Sequence, residues 1–354
     1  MRITVLLPFP VTKPVGGARV MYEYANRFAA FGHQVTVLHS LRRPFKKMRS
    51  PLWWKRLIFV IRGAARPAWF SLDSRVTSKI VDEFSDSFVP DGDILFSTWW
   101  QTAYALAKLS PRKGVPVNLV QDYETWTGQE DLVKSSYRLP LQHAAISNWL
   151  RVLVENESGR SVQLLPNAID TSRFTQTVEP ALRDNFSVLA LYSEESRKGT
   201  RYILDAIELL RAHYPGLRFS FFGVYPRPAS LPEWVQYYQK PTNLAALYNQ
   251  HAIFLSASLG EGWALPPAEA MACGCAVVCT DIGGHADYTK ANETALLIPT
   301  ENTTAIITAL TTLFDNKALR IQLAEKSRFQ LLEKFNWDQS VTTALNWFDS
   351  LQKG

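Results

Sequence analysis

Short apolar runs alternate with helix-spaced apolar positions from the first residues onward, and the alternation restarts after a polar break. No other feature of the sequence constrains the fold as tightly. Ile3–Leu7 reads as a strand, Val20, Met21, Tyr24, Ala25 and Phe28 recur at helical spacing, Gly32 can end that helix, and Gln34–Leu38 reads as the next strand. That is one βαβ unit. Further strands are expected at Ile94–Ser97, Val117–Val120, Ala144–Ser147 and Val162–Leu165, separated by enough chain for crossover helices. A doubly wound parallel sheet follows.

After Asn167-Ala-Ile-Asp170 the polar stretch Thr175–Asp184 reads as a linker. Strands are then expected at Phe186–Leu191, Leu217–Phe222, Ile253–Ser256, Ala276–Cys279 and Ala295–Ile298, with helices at Tyr202–Tyr214, Leu244–Tyr248 and Pro267–Cys273. With 354 residues the chain suits two cores rather than one. The expected class is α/β, with two Rossmann-like doubly wound domains, 1–172 and 173–336, facing across a cleft at the carboxyl ends of their strands. A helix over 337–354 is expected to return to the first domain.

A chain that is 47% hydrophobic and 20% charged is a folded globular protein, not a disordered one. The apolar run Leu57–Ile61 is far too short to span a membrane, and the N-terminus reads as a first strand, not a signal peptide, so a cytoplasmic location is expected. Cys273, Cys275 and Cys279 lie within seven residues and read as core packing in preference to a metal set. The six histidines have no ligand spacing, although His285 after Gly283-Gly284 could approach a ligand. Asp91-Gly-Asp93 precedes a strand instead of following one. No metal site is expected.

The most specific string is E-G-W-A-L-P-P-A-E, Glu261 to Glu269, followed by A-M-A-C-G. Glu261 comes just past the Ile253–Ser256 strand, Pro266 or Pro267 can open the next helix, and Glu269 then falls in its first turn. A carboxylate there can accept from two vicinal ribose hydroxyls. The amides of Gly262, Trp263, Ala264 and Leu265 can meet sugar hydroxyls or phosphate oxygens. Either glutamate taken singly reads as a surface acid or a helix-dipole partner; the whole string reverses that.

The sequence resembles the glycosyltransferase family four group, retaining enzymes of GT-B fold marked by two glutamates eight positions apart. The resemblance runs over nearly the whole chain: P-N-A-I-D at 166–170, R-K-G at 197–199, the glutamate string with A-M-A-C-G at 270–274, and D-I-G-G at 281–284. It implies a nucleotide diphosphate sugar as donor substrate, with no further cofactor. Arg197 and Lys198 would neutralise the diphosphate, whose charge grows as the glycosidic bond breaks. Glu261 would join them in catalysis, while Glu269, Gly223 and the 262–265 amides would bind the donor.

Gly16-Gly17 matches the family's N-terminal glycine loop, where backbone approaches diphosphate or acceptor. It lacks the third glycine and downstream acid of a dinucleotide fingerprint, which argues against a dehydrogenase. Three places, four residues in all, depart from the family pattern. Ala264 stands where glycine is usual, Tyr192–Ser193 replace the usual glycine and arginine, and Gln121 stands where a histidine often lies, with Asp122 beside it. Gln121 could bond a sugar hydroxyl, and Asp122 could orient the acceptor or take its proton; the alternative is a loop that caps the next helix.

Residues 1–178 hold 23 Lys and Arg against 14 Asp and Glu, whereas 179–354 hold 15 against 18. The basic half should face an anionic partner. Between Arg42 and Lys79 there are eleven basic residues and one acid, Asp73, interleaved with Trp53, Trp54, Phe59 and Trp69. An anionic membrane surface or lipid-linked acceptor is the preferred reading of residues 42–79, ahead of a packed helix and of nucleic acid. The expected function is transfer of a hexosyl or deoxyhexosyl group onto a saccharide or lipid-linked acceptor in envelope or exopolysaccharide synthesis, peripheral to the inner face of the cell membrane. The alternatives are a nucleotide-sugar epimerase or hydrolase of the same fold, and a non-catalytic sugar-nucleotide-binding subunit.

Overall fold

A computed structural model describes residues 1–45 and 50–353. The chain divides into two compact units, residues 1–167 with 338–354, and residues 168–337.

In the first unit β1 (Arg2–Leu7), α1 (Gly16–Ala30), β2 (Gln34–Ser40), α2 (Leu52–Ile61), β3 (Thr77–Val81), β4 (Ile94–Thr98), α3 (Trp100–Leu106), β5 (Val115–Val120), α4 (Glu130–Tyr137), β6 (Gln142–Ala145), α5 (Asn148–Ser158) and β7 (Gln163–Leu164) follow in order. The sheet order is β3-β2-β1-β4-β5-β6-β7, and all pairs are parallel. Leu7 is level with His39, and Leu6 with Ser97, so the carboxyl ends of β2, β1 and β4 share one edge. The order reverses between β1 and β4, the switch point where open sheets of this kind bind ligands.

The second unit runs β8 (Ser187–Leu191), α6 (Thr200–His213), β9 (Arg218–Gly223), β10 (Gln236–Gln239), α7 (Leu244–Asn249), β11 (Ile253–Ser256), α8 (Leu265–Ala272), β12 (Ala276–Thr280), α9 (Gly283–Ala286), β13 (Leu296–Ile298), α10 (Thr303–Asp315) and α11 (Lys317–Lys334). Its sheet is β10-β9-β8-β11-β12-β13, again parallel. Val188, Phe219, Ile253, Ala276 and Leu310 are buried in its core.

The last helix, α12 (Trp337–Lys353), carries the chain back: Phe348 packs on Phe28 and Phe96, and Ser340 donates to the Pro166 carbonyl at 2.8 Å. The break between units falls at 167 and not at 172, because the Ile169 N–H already donates to the Phe335 carbonyl of the second unit at 3.0 Å. The strand expected at Ala144–Ser147 ends at Ala145, since Ser147 already serves as the residue before α5. Among the described residues no helix is long and apolar enough to cross a membrane.

Candidate functional site

Chemistry in the second unit gathers beyond the carboxyl ends of β8 and β11. After β8 a single 3-10 turn, Ser196–Lys198, carries the two cations, and Gly199 leads into α6 with φ +66°. A Cβ on Gly199 would overlap the Ala257 carbonyl, so this position needs glycine both for its backbone conformation and for the approach of the β11 loop. The Arg197 carbonyl then accepts from the Leu259 N–H at 2.7 Å, tying the basic turn to the loop that carries Glu261.

Glu261 sits between these cations. Lys198 Nζ lies 2.6 Å from its Oε1, Arg197 Nη1 lies 3.7 Å from its Oε2, and Ser258 Oγ donates to Oε1 at 2.8 Å. Its side chain is only 11% exposed. Burial pushes the carboxyl pKa up, but Lys198, Arg197 and Ser258 outweigh burial and hold it below the usual glutamate value. On the other side Gly284 crosses the Glu261 backbone so closely that a Cβ would overlap it, and the Gly284 carbonyl accepts from the Ala264 N–H at 3.2 Å. The D-I-G-G string therefore clamps the glutamate loop. Lys198, Ser258, Glu261, Ala264, Pro266 and Pro267 line a small hollow there.

Several expected donor contacts change. The helix begins at Leu265, with Pro266 and Pro267 at its second and third positions, so Glu269 lies beyond the first turn. It is 3% exposed and accepts from the Tyr248 hydroxyl at 3.2 Å, which removes the simple helix-dipole reading. The Ala264 amide is spent on Gly284. The Trp263 ring is buried, with centroids 4.8 Å from Tyr288 and 5.5 Å from Phe335, so it supports the loop from inside. Gly262 precedes these two in the loop, and Leu265 opens α8 directly after them. Gly223 ends β9, where a Cβ would overlap the Tyr237 hydroxyl; this glycine makes room for a tyrosine. His285 is fully buried, its Nδ1 2.7 Å from the Thr280 carbonyl. The three cysteines are buried free thiols, and burial raises that of Cys275 to about 11.

In the first unit Gly16 and Gly17 are not a loop but the first two residues of α1. Val15 is extended, and its carbonyl already accepts from the Arg19 N–H at 3.0 Å. Gln121, at the end of β5, donates from Nε2 to the Gly17 carbonyl at 3.1 Å and to Thr98 Oγ1 at 3.0 Å. Both amide hydrogens thus fasten the start of α1 to the sheet edge. Asp122 Oδ1 accepts from the Tyr123 N–H at 2.9 Å.

Two neighbours of that edge were assigned no part from the sequence. Burial raises the Glu124 carboxyl to about 8, against the opposing bond from the Trp100 N–H and with some help from Asp122. That bond, 2.9 Å to Oε2, starts α3. Trp99 just before it has φ +70°, a conformation costing roughly 1–3 kcal/mol for a bulky residue, and such strain concentrates at functional sites.

Residues 185–316 match the family described as Glycosyl transferases group 1. One subunit of the human phosphatidylinositol N-acetylglucosaminyltransferase is 31% identical over 150 residues, which is 39% of this chain and 31% of that protein, so the match spans about a third of that relative. The D-inositol 3-phosphate glycosyltransferase of Pseudarthrobacter chlorophenolicus is 23% identical over 295 residues, 72% of this chain and 69% of that one. Within the second unit, residues 185–316 are thus similar to that family.

The fold is GT-B. Sucrose-phosphate synthase from Thermosynechococcus elongatus superposes with a TM-score of 0.73 at 15% identity, covering 99% of this chain and 98% of that one. Anabaena HepE in complex with UDP gives 0.73 at 13% identity over the full length of both. The matched segment contains Arg197, Lys198, Glu261 and Glu269, and also Ser258, Gly199 and Gly284, whose parts were not read from the sequence. The strings R-K-G and D-I-G-G contain those glycines, but only the fold shows which backbone each admits. Among the described residues no group of three His, Cys, Asp or Glu side chains could hold a metal ion.

Proposed function

We propose that this chain is a retaining, metal-independent glycosyltransferase that takes a sugar from a nucleoside diphosphate and delivers it to a saccharide or lipid-linked acceptor. The observation that carries the reading is the Arg197–Lys198–Glu261 cluster at the carboxyl edge of the second sheet. An ammonium has three donors, and Lys198 spends one on Glu261, so the others suit diphosphate oxygens. When the bond from the anomeric carbon to the phosphate oxygen breaks, the leaving diphosphate gains charge that fixed cations stabilise more than they do the ground state. The acceptor oxygen bonds to the anomeric carbon, its proton passes to the leaving phosphate, and the sugar keeps its configuration. Glu269, deep beside α7, is assigned to the donor ribose.

A panel of nucleotide sugars tests this, run in EDTA and read by protection from heat unfolding and by acceptor-dependent nucleoside diphosphate release. One donor should protect, and Glu269→Ala should weaken its binding by about 2–3 kcal/mol, the scale of a lost charged hydrogen-bond partner. Unchanged affinity in a folded variant removes Glu269 from the site. Donor breakdown that needs no acceptor would point to a hydrolase, and turnover only after a divalent ion is restored would end the metal-free reading.

The acceptor side is assigned to the cytoplasmic surface of an anionic membrane, through α2. None of its residues is buried; Trp53, Trp54, Leu57, Val60 and Ile61 are exposed, Ile61 to 75%. The exposure of Leu57 and Ile61 supports a surface role over the packed-helix alternative; of Leu57, Ile58 and Ile61, Ile58 alone is half-buried. Some of the basic excess is answered locally, by Arg42–Glu83, Arg56–Asp82 and Arg75–Asp73. Lys55 and Arg62 flank the apolar face in sequence, each contributing roughly 1 kcal/mol near an anionic surface. Vesicles rich in anionic lipid should sediment the parent at low salt and release the variant with Trp53, Trp54, Leu57 and Ile61 changed to serine. Equal binding by both, or by neither, makes α2 an ordinary surface helix.

A further inference from the structure

We infer that the carboxyl edge of the first sheet holds a subsite for an oxyanion, phosphate or carboxylate, borne by the acceptor, with Arg43 as its cation and Phe9 and Trp99 as its aromatic wall. The acceptor half of this inference rests on the glycosyl transfer reading; the anion site itself stands on the geometry of the first unit.

The three residues follow three adjacent strands, Phe9 after β1, Arg43 after β2 and Trp99 after β4, so they lie together at the switch point. The Arg43 guanidinium lies over the Phe9 ring, 3.7 Å from its centroid, and Phe9 meets Trp99 at 5.4 Å with planes 56° apart. Phe45 extends the wall, 5.1 Å from Trp100 and 5.0 Å from Tyr104, with half its surface open. Trp99 holds this place with φ +70°.

Arg43 is partly buried, and burial draws its pKa down with no carboxylate acting against that shift. Arg42, Arg56 and Arg75 of the same basic stretch each have an acid partner, whereas no described carboxylate pairs with Arg43. Lys46, Lys47, Met48 and Arg49, which follow it in the sequence outside the described residues, contain no acid. Glu124, four residues past β5, is held largely protonated at neutral pH and accepts from the Trp100 N–H, so it offers little countercharge. Asp122 receives the Tyr123 N–H. A partly desolvated guanidinium keeps its charge and its planar donor fork, which match the two oxygens of a phosphate or carboxylate. The ring faces beside it suit the less polar face of a sugar, as in mixed apolar and polar ligand pockets.

The test uses the full chain with its donor site saturated by the nucleoside diphosphate that the donor panel selects. Inorganic phosphate, glucose 6-phosphate and carbon-13 acetate are titrated separately and followed by the broadening of their own NMR lines, with glucose as the neutral control. The parent should broaden at least one oxyanion probe, and Arg43→Gln should weaken that binding about tenfold or more while leaving nucleoside diphosphate affinity unchanged. Phosphate-only or acetate-only broadening identifies which oxyanion the fork prefers. Arg43→Lys keeps the charge and loses the fork, so it should fall between the two; it also serves if the glutamine variant does not fold. Equal broadening by parent and variants, or none by the parent, overturns the subsite. A parent that binds oxyanion through Arg43 but no nucleoside diphosphate keeps the subsite and removes the transfer reading instead.

Discussion

At the carboxyl edge of the second sheet the site's charges answer one another, with Lys198 and Arg197 both reaching Glu261 and Ser258 adding a hydrogen bond. At the matching edge of the first sheet Arg43 faces an aromatic ring, and Glu124 nearby is pushed toward its neutral form. The same parallel architecture thus supports a self-neutralised site in one unit and a cation without a carboxylate in the other. Burial accounts for the contrast. A carboxylate as enclosed as Glu261 keeps its charge only beside cations, and Glu124, with a backbone amide as its strongest opposing partner, is left to hold its proton.

The strongest way to break the comparison is to remove the neutralising pair. Arg197→Ala with Lys198→Ala should lower kcat by more than ~10²-fold, the scale of removing a preorganised electrostatic contact. Near-normal turnover in the panel assay would mean that the cluster serves the loop and not the chemistry. A smaller effect is expected from the joint beneath it. Gly199→Ala must place a Cβ against the Ala257 carbonyl at positive φ, which should cost about 2–3 kcal/mol in denaturant unfolding. A loss below roughly 0.5 kcal/mol, the ordinary range for surface substitutions, would show that the basic turn does not depend on this close approach.

The smallest effect sharpens the other edge. Glu124 holds its proton in the fold up to about pH 8 and releases it near 4.5 when unfolded, so between those values the folded state binds the extra proton. Stability should therefore fall as pH rises through that window and level off above it. Glu124→Gln can still accept from the Trp100 N–H, and it should flatten the slope, gaining on the order of 1–2 kcal/mol over the parent at pH 8.5. Identical slopes in both proteins would mean that Glu124 ionises in the fold as freely as in the unfolded chain.

Strands inside both sheets were legible because helices cover both their faces and leave near-continuous apolar runs, as in Ile253–Ser256. The strands that escaped were β3 and β10, T-S-K-I-V and Q-Y-Y-Q, each at one outer edge of its sheet; β7 and β13, at the opposite edges, were read from the apolar runs around them. β3 and β10 pair on one side only and carry polar residues, so their pattern does not rise above that of a loop. The same division holds for the site. Local order in the sequence determined that Arg197, Lys198, Glu261 and Glu269 belong to strings of recognisable chemistry. Tertiary structure alone decided that Lys198 meets Glu261 across 63 residues, that Gly284 closes on the Glu261 backbone, that Glu269 lies just beyond the first turn of its helix, and that Arg43 finds a ring and, among the described residues, no acid. Residue type and spacing set what a side chain can do; how closely two backbones pass and how much water remains are properties of the packed chain.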